Sequence, residues 1–267
     1  MALCMLGNIE EAEKIASEVP QELKFKTRYL PMAFAQISQA RGSIADSVQI
    51  YDEFLAKNPD VPEARWNRAL ANLAAGNLKQ GWQDFECRWD WKGYPSTEKK
   101  LSIPKWNGEP LDGKTLLLWA EQGLGDQIMF LTLALPLIRD TEIQISIEVD
   151  NKLVELVSAW YPEATVSRLE NFDCADEKGY ERFDYHLPIG TLPKFFLPDI
   201  EHLHQRPIRL LRGDLVLKKS VLENAKFEDP TLPLVGICWR SSLLNSQRNS
   251  GYLNVEAAVK LASELKG

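Results

Sequence analysis

The stretch TLLLWAEQGLGDQIMF, residues 115–130, decides the fold class of this chain. Its apolar start predicts a buried strand over residues 115–120, its glycine- and acid-rich middle predicts a turn over residues 121–126, and a helix is expected from Gln127 onward. Strands of this kind end at the edge of a sheet where open α/β proteins bind their ligands. The first candidates for chemistry are therefore Gly123, Gly125 and Asp126.

The sequence before this stretch is helical in character and repeats with a fixed period. Gly7, Gly42 and Gly76 each separate two apolar segments, and they are thirty-five and thirty-four residues apart. Tyr51 and Phe85 hold the same place, nine residues after a glycine, where large rings would pack between helices. This is the period of a tetratricopeptide repeat, so a series of helical hairpins is expected.

The repeat around Gly76 fits best, because apolar residues continue at helical spacing on both sides of it. They are Trp66, Leu70, Leu73, Leu78, Trp82, Phe85 and Trp89. Only residues 1–6 stand where the first repeat needs a full helix, so we expect the chain to begin inside a longer array. Such repeats offer a concave surface for a peptide or partner protein, or serve as a rigid scaffold. The exposed half-repeat could also pair with a second copy to form a homodimer.

Residues 92–114, KGYPSTEKKLSIPKWNGEPLDGK, are rich in proline, glycine and charge, and predict a connecting segment. Trp106 lies inside this segment, and a flexible tether would leave its large apolar area in water. We therefore expect Trp106 to fasten the segment onto a neighbouring domain.

Strand and helix patterns alternate after residue 115, which predicts a mostly parallel, Rossmann-like sheet and the fold class α + α/β. Further strands are expected at residues 142–149, 164–168, 183–187 and 232–239, and helices at residues 151–160, 213–225 and 254–265. Asp150 or Asn151 is available to cap the helix over residues 151–160. The predicted domains are repeats at 1–91, the connecting segment at 92–114, a Rossmann-like domain at 115–231 and the incomplete start of a second at 232–267.

The composition excludes several classes of function. No segment approaches the roughly 18 uninterrupted apolar residues of a membrane helix, and the first twenty residues, with four glutamates, do not resemble a secretory signal. We therefore expect a cytoplasmic protein without a membrane span. A formal net charge of -7 argues against general nucleic-acid binding, which calls for a basic surface.

The cysteines and histidines indicate no metal site. The four cysteines are scattered without a C-x-x-C pair, so neither a zinc site nor a disulfide framework is expected, and buried free thiols are the plain interpretation. His202 and His204 form an H-x-H pair, but no thiol is nearby, and Asp199 and Glu201 complete no known ligand pattern.

The turn after the first strand lacks a dinucleotide fingerprint, because Ile128 stands where a third glycine is needed. NAD binding is therefore not expected. The turn does offer two glycines that let a ligand approach the backbone, amide groups at a helix start, and the carboxylate of Asp126. Asp126 is equally suited to cap the helix, and the residue types alone leave both roles open.

A second candidate site is CWRSSLLNSQRNSGY, which follows the apolar strand expected at residues 232–239. Guanidinium groups grip phosphate through two hydrogen bonds and hydroxyls add neutral donors, whereas a solvated surface loop is the alternative. The side chains concerned are Arg240, Ser241, Ser242 and Arg248.

A third candidate is FDYHLPIGTLP, in which Asp184 and His186 lie close to Gly190. Asp184 could orient the ring of His186 for acid–base chemistry. Alternatively, His186 is simply a histidine at the end of a strand.

These stretches together resemble a known class of protein. PKWNGEPLDGKTLLLWAEQGLGDQIMF, FDYHLPIGTLP and VGICWRSS with Arg248 and Tyr252 are similar to bacterial tetratricopeptide-repeat proteins whose C-terminal half is glycosyltransferase-like. That half resembles the heptosyltransferases of glycosyltransferase family nine and, more distantly, the O-GlcNAc transferase class. The resemblance covers nearly the whole chain, and EQGLGD is its most specific part.

The resemblance implies a GT-B fold, with the acceptor on one Rossmann-like domain and a nucleotide-sugar on a second one across a cleft. Asp126 in the Gly-Asp turn would be the general base for the acceptor hydroxyl. The same acceptor-side site would include Glu121, Gln122, Gly123, Gly125 and His186. The donor diphosphate would be held, without a metal ion or another cofactor, by Arg240, Ser241, Ser242 and Arg248.

The expected donor domain is incomplete, because a Rossmann-like half needs several more strand–helix units than residues 232–267 hold. We therefore expect a chain truncated at both ends that shows no measurable transferase activity alone. The alternative is a tetratricopeptide module for protein interactions whose Rossmann-like part has lost catalysis.

Overall fold

The computed structural model describes residues 2–5, 8–20, 23, 27–140, 143–169, 179–205, 256–257 and 260. The chain divides into two compact units, of which the first comprises residues 1–43 and 213–267 and the second comprises residues 44–212. The boundaries predicted after residues 91 and 114 lie inside the second unit. The predicted helix at 213–225 and strand at 232–239 lie outside the described residues.

The first unit contains α1 (Ala2–Met5), α2 (Ile9–Ser17) and α3 (Tyr29–Ala40). Ala12 of α2 is buried, as are Met32 and Ala35 of α3. Arg41 at the end of α3 forms an exposed ion pair with Glu13 of α2.

The second unit begins with α4 (Ile44–Lys57), α5 (Pro62–Ala74) and α6 (Leu78–Phe85), followed by a 3₁₀ turn at Glu86–Trp89. Arg68 of α5 fastens these helices together, because its guanidinium donates to Asp52 of α4 at 2.8 Å and to Asp84 of α6 at 2.7 Å. Gly76 separates α5 from α6 with φ +81°, a left-handed conformation that glycine adopts without cost. The predicted helix hairpin around this glycine is therefore confirmed.

Four parallel strands follow: β1 (Thr115–Trp119), β2 (Gln144–Val149), β3 (Thr165–Arg168) and β4 (Tyr185–Pro188). They lie in the order β3-β2-β1-β4. Residues 119 and 148 are paired between β1 and β2, and residues 119 and 188 between β1 and β4. The four strands predicted in this part of the chain are confirmed to within two residues.

The remaining helices are α7 (Leu124–Leu131), α8 (Leu135–Asp140), α9 (Val154–Trp160), α10 (Leu192–Phe196) and α11 (Ile200–Gln205). The predicted helix start at Gln127 is wrong by three residues, because Gly123 takes the N-cap position and accepts the Gln127 amide hydrogen bond. Of the two residues expected to cap the helix over residues 151–160, Asp150 caps the 3₁₀ turn Asn151–Leu153 that precedes α9, by accepting the amide of Lys152 at 2.9 Å. No helix in the described part of the chain is both long and apolar enough to cross a membrane.

The two faces of the sheet are buried by different means. Leu116 and Leu118 belong to the main apolar core, which includes residues of α7, α8 and α9. Leu117 and Trp119 point to the opposite face, since alternate strand residues do so. That face packs against apolar side chains that include Leu101, Ile103, Phe183 and Tyr180. The connecting segment thus covers part of one face of the sheet.

The connecting segment is fastened at Trp106, as expected. The ring of Trp106 is buried and lies 4.5 Å from the ring of Phe195, and its indole N–H donates to the carbonyl of Glu109 at 2.8 Å. The neighbouring Lys105 forms an isolated parallel bridge with His186, so the segment is also held against β4 by backbone pairing.

Candidate functional site

The candidate site lies at the point where the strand order reverses. The chain proceeds from β1 outward to β2 and β3, and then returns to place β4 on the other side of β1. The turns after Trp119 and Pro188 therefore lie side by side at the carboxyl edge of the sheet. Open α/β sheets bind ligands at such a switch point, which makes these two turns the candidate site.

The turn after β1 reaches the surface at its two glycines. Gly123, Leu124 and Gly125 are exposed, and a methyl group placed on Gly125 would meet no described atom within 4 Å. Gly125 also lies in the first turn of α7 with an ordinary φ, so neither backbone geometry nor described neighbours require glycine there. The glycine leaves room for an approaching group.

Asp126 lies in the first turn of α7 and is half-buried. Its Oδ2 accepts the amide hydrogen of Gly123 at 3.2 Å, so the expected helix-capping role is present. Because a carboxylate offers about four acceptor positions, this single long hydrogen bond leaves capacity for others. The geometry is thus compatible with both of the roles predicted for Asp126.

Glu121, the first residue of the same turn, belongs to the interior. Its side chain is fully buried and accepts both the Nε and Nη2 hydrogen bonds of Arg88, at 2.8 and 2.9 Å. The amide of Gly190 donates to Oε1 at 2.9 Å, and the hydroxyl of Tyr94 donates to Oε2. Four donors occupy the acceptor positions of this carboxylate, which makes Glu121 a structural residue.

Arg88 is the partner that holds Glu121, and it is completely buried in the 3₁₀ turn after α6. Its guanidinium also donates to Glu86 at 2.8 Å and to the hydroxyl of Thr191 at 3.0 Å. Burial alone would lower the pKa of Arg88, but the carboxylates of Glu121 and Glu86 together outweigh burial and raise the pKa above its ordinary value. Lys105 binds the second oxygen of Glu86 at 2.8 Å. This buried network joins the end of the helix hairpin, the connecting segment and both turns of the switch point.

His186 lies in β4, inside the fold, and not in a loop. Only 6% of its surface is exposed, and its Nδ1 accepts the indole N–H of Trp119 at 3.1 Å. Because indole nitrogen can only donate, the neutral ring carries its proton on Nε2. Burial, together with the ammonium groups of Lys105 and Lys99, lowers the pKa of His186 from 6.5 to about 4. The structure therefore gives His186 the place of a strand histidine.

A second buried ionic group lies on the same side of the sheet. Lys99 of the connecting segment, 5% exposed, donates to Glu148 of β2 and to the hydroxyl of Tyr180 at 3.1 Å. Tyr180 in turn donates to the other oxygen of Glu148 at 3.1 Å. The three side chains pair with one another, which offsets the desolvation of their charges.

The donor-side candidates lie outside the described residues. They are Arg240, Ser241, Ser242 and Arg248. Within the ranges that the structure describes, no group of three or more histidine, cysteine, aspartate or glutamate side chains could hold a metal ion.

Sequence reasoning missed the buried residues that hold the turn of the candidate site in place. Arg88 stands three residues after Phe85, on the same helical stripe, and a charged residue on an apolar stripe is a signal of a buried ion pair. Tyr94 carried no such signal, because the connecting segment has no period from which burial could be predicted.

The comparisons with known proteins are sparse. No family model matches the chain, and no solved structure matches it significantly. Among curated proteins the chain is similar to Protein FlbA of Caulobacter vibrioides (strain ATCC 19089 / CIP 103742 / CB 15), with 27% identity over 249 residues. The match covers 84% of this chain and 39% of FlbA, so the chain spans about two fifths of the relative's length.

Proposed function

We propose that this chain carries tetratricopeptide repeats and the acceptor-side domain of a metal-independent glycosyltransferase of GT-B type. The observation that carries the proposal is the exposed turn Gly123–Asp126, which places a carboxylate beside an open approach at the switch point of a parallel sheet. Helical hairpins followed by such a sheet agree with the architecture that the sequence resemblance implies.

In the proposed reaction an acceptor hydroxyl attacks the anomeric carbon of a nucleotide-sugar. The new carbon–oxygen bond forms as the bond to the nucleoside diphosphate breaks, and the hydroxyl proton passes to the carboxylate of Asp126. Gly123 and Gly125 keep the approach to this carboxylate open. Arg240 and Arg248, with neighbouring hydroxyls, would hold the departing diphosphate.

The role of Asp126 is tested with Asp126→Asn in the protein encoded by the complete parent gene. Asparagine retains an oxygen that can accept the Gly123 amide, so the cap survives while the proton acceptor is lost. We expect transfer from a nucleotide-sugar panel to fall by about 10²–10⁴-fold, the usual contribution of a general base. Asp112→Asn, at an exposed aspartate of the connecting segment, is the matched control and keeps full activity.

Transfer that persists in Asp126→Asn, with folding unchanged, rules out the base assignment. The 267-residue chain itself is expected to show no turnover, so measurable transfer by a sequence-verified sample contradicts the proposed division of the site between two domains.

The second candidate function is a protein-interaction module in which the Rossmann-like part is not catalytic. It is favoured by an open cavity of about 270 Å³ in the helical part, lined by Asp52, Leu55, Ala56, Pro59, Arg65 and Arg68. Arg65 beside the apolar walls suits a peptide segment with an acidic side chain, while Arg68 is already paired with Asp52 and Asp84. Under this function Asp126→Asn changes neither partner binding nor any other property beyond local helix stability.

A further inference from the structure

Gln122 holds an unfavourable backbone conformation at the centre of the candidate site. Its φ is 63°, and among the described residues it is the non-glycine residue with positive φ. In this left-handed region the Cβ of an L-residue crowds the neighbouring carbonyl oxygen, so surrounding contacts must hold it there. The backbone conformation of Gln122 sets the path of the residues that follow it, Gly123–Asp126.

Three hydrogen bonds hold Gln122 in place. Its backbone N–H donates to Ser96 Oγ at 2.7 Å, and its carbonyl accepts from the side chain of Gln127 at 3.3 Å. Its own side-chain Nε2 donates to the hydroxyl of Tyr94 at 2.6 Å. Since the same hydroxyl donates to Glu121, one oxygen atom ties two successive residues of the turn.

Tyr94 is itself rigidly placed. It is buried, and its ring meets those of Trp89 and Trp66 nearly edge-on, with centroids 5.3 and 5.4 Å away. Burial and the neighbouring carboxylate of Glu121 raise its pKa well above the usual range, so the hydroxyl keeps its proton and remains a donor. The hydroxyl is therefore a fixed point against which the turn is set.

We propose that Tyr94 is a positioning residue for the Gly123–Asp126 turn. Its hydroxyl holds Gln122 in the left-handed conformation and thereby sets the place of the Asp126 carboxylate. The inference rests on the proposed function, in which Asp126 takes the acceptor proton, but its effect on the turn is measurable without any substrate.

Tyr94→Phe in the 267-residue chain removes only the hydroxyl and keeps the ring. We expect the amide NMR signals of Gly123 and Gly125 to shift, and hydrogen exchange of amides 122–126 to become about fivefold faster, the effect of losing one hydrogen bond. Tyr51→Phe is the matched control, because the Tyr51 hydroxyl is buried and has no hydrogen-bond partner among the described residues. Its removal should leave those signals unchanged. Unshifted turn signals in Tyr94→Phe overturn the proposal.

A rescue separates positioning from simple support of Glu121. Glycine adopts a positive φ without crowding, so adding Gln122→Gly to Tyr94→Phe should return the Gly125 signal to its original position. If Tyr94 only stabilised the buried carboxylate of Glu121, the double variant would not recover in this way. Failure of the rescue, with the double variant folded, therefore contradicts the proposal.

In the protein encoded by the complete gene, Tyr94→Phe should lower kcat with little change in KM, and Gln122→Gly should restore it. A change confined to KM contradicts positioning of the base. If the turn moves as expected but Asp126→Asn leaves transfer intact, the base assignment fails while the control of the turn by Tyr94 stands, so the two failures are distinguishable.

Discussion

Glu121 and Asp126 are carboxylates five residues apart in one turn, and the fold uses them in opposite ways. Glu121 is fully buried and receives four hydrogen bonds from three partners, whereas Asp126 is half-buried and accepts the amide of Gly123. The difference arises because Glu121 faces Arg88 and Gly190 in the interior, while Asp126 lies in a helix that starts at the surface. The buried half of the turn supports the fold, and the exposed half is where we propose that the chemistry takes place.

The sharpest way to break this arrangement is Arg88→Ala. The change leaves the carboxylate of Glu121 buried without its ionic partner, and we expect a loss of about 3–5 kcal/mol in the free energy of unfolding. Urea titration measures the loss. Lys114→Ala serves as control, because its pair with Asp184 is about 40% exposed on each side and such pairs contribute less than about 1 kcal/mol. Equal losses in the two variants contradict the central role of the buried pair.

The pH dependence of unfolding tests the burial of His186 in β4. An unfolded histidine binds its proton near pH 6.5, whereas the folded pKa is about 4. The contribution of His186 to the free energy of unfolding is therefore fully present above pH 6.5. About 3 kcal/mol of it is lost as pH falls toward 4. Unfolding measured at pH 7 and pH 4 should show this loss in the natural chain and a loss smaller by that amount in His186→Asn. Identical pH profiles would show that His186 is not protected from protonation.

A single methyl group, added at each of two glycines, tests the difference between the buried and the exposed part of the site. A methyl group at Gly190 would lie 2.9 Å from Cδ of Glu121, so Gly190→Ala should cost about 1–3 kcal/mol. Gly125→Ala adds the same group at an exposed helix position, where alanine is favoured by about 0.5–1 kcal/mol. Thermal melts should therefore move in opposite directions for the two variants. A lower Tm in Gly125→Ala would show that the glycine is required by the fold.

The local pattern was enough to predict the scaffold of the second unit. The apolar run before Glu121 predicted β1, the alternation before Val149 predicted β2, and the spacing around Gly76 predicted the hairpin of α5 and α6. The start of α7 was missed by three residues, because two glycines and an aspartate fit a loop as well as a helix start. Element type follows from periodicity, whereas boundaries depend on single capping bonds.

The site was predicted only in outline. The turn with Asp126 was chosen as the candidate site because it follows a strand directly, and Glu121 was placed with it although the Glu121 side chain turns inward. His186 was expected at the acceptor side, and burial between Trp119 and the nearby lysines gives it a structural place. Neither outcome can be predicted from residue type, since glutamate and histidine serve both in functional sites and in buried networks.

The sequence by itself determined which segments form helices and strands, and that a glycine-rich turn follows the central strand, because periodicity and residue shape act locally. Only the tertiary structure decided which side chains of that turn are enclosed. Arg88 and Glu121 are thirty-three residues apart, and they meet because the helix hairpin ends beside the switch point. Long-range packing sets the local dielectric, and this decides whether a carboxylate becomes a buried ion pair or remains available at the surface.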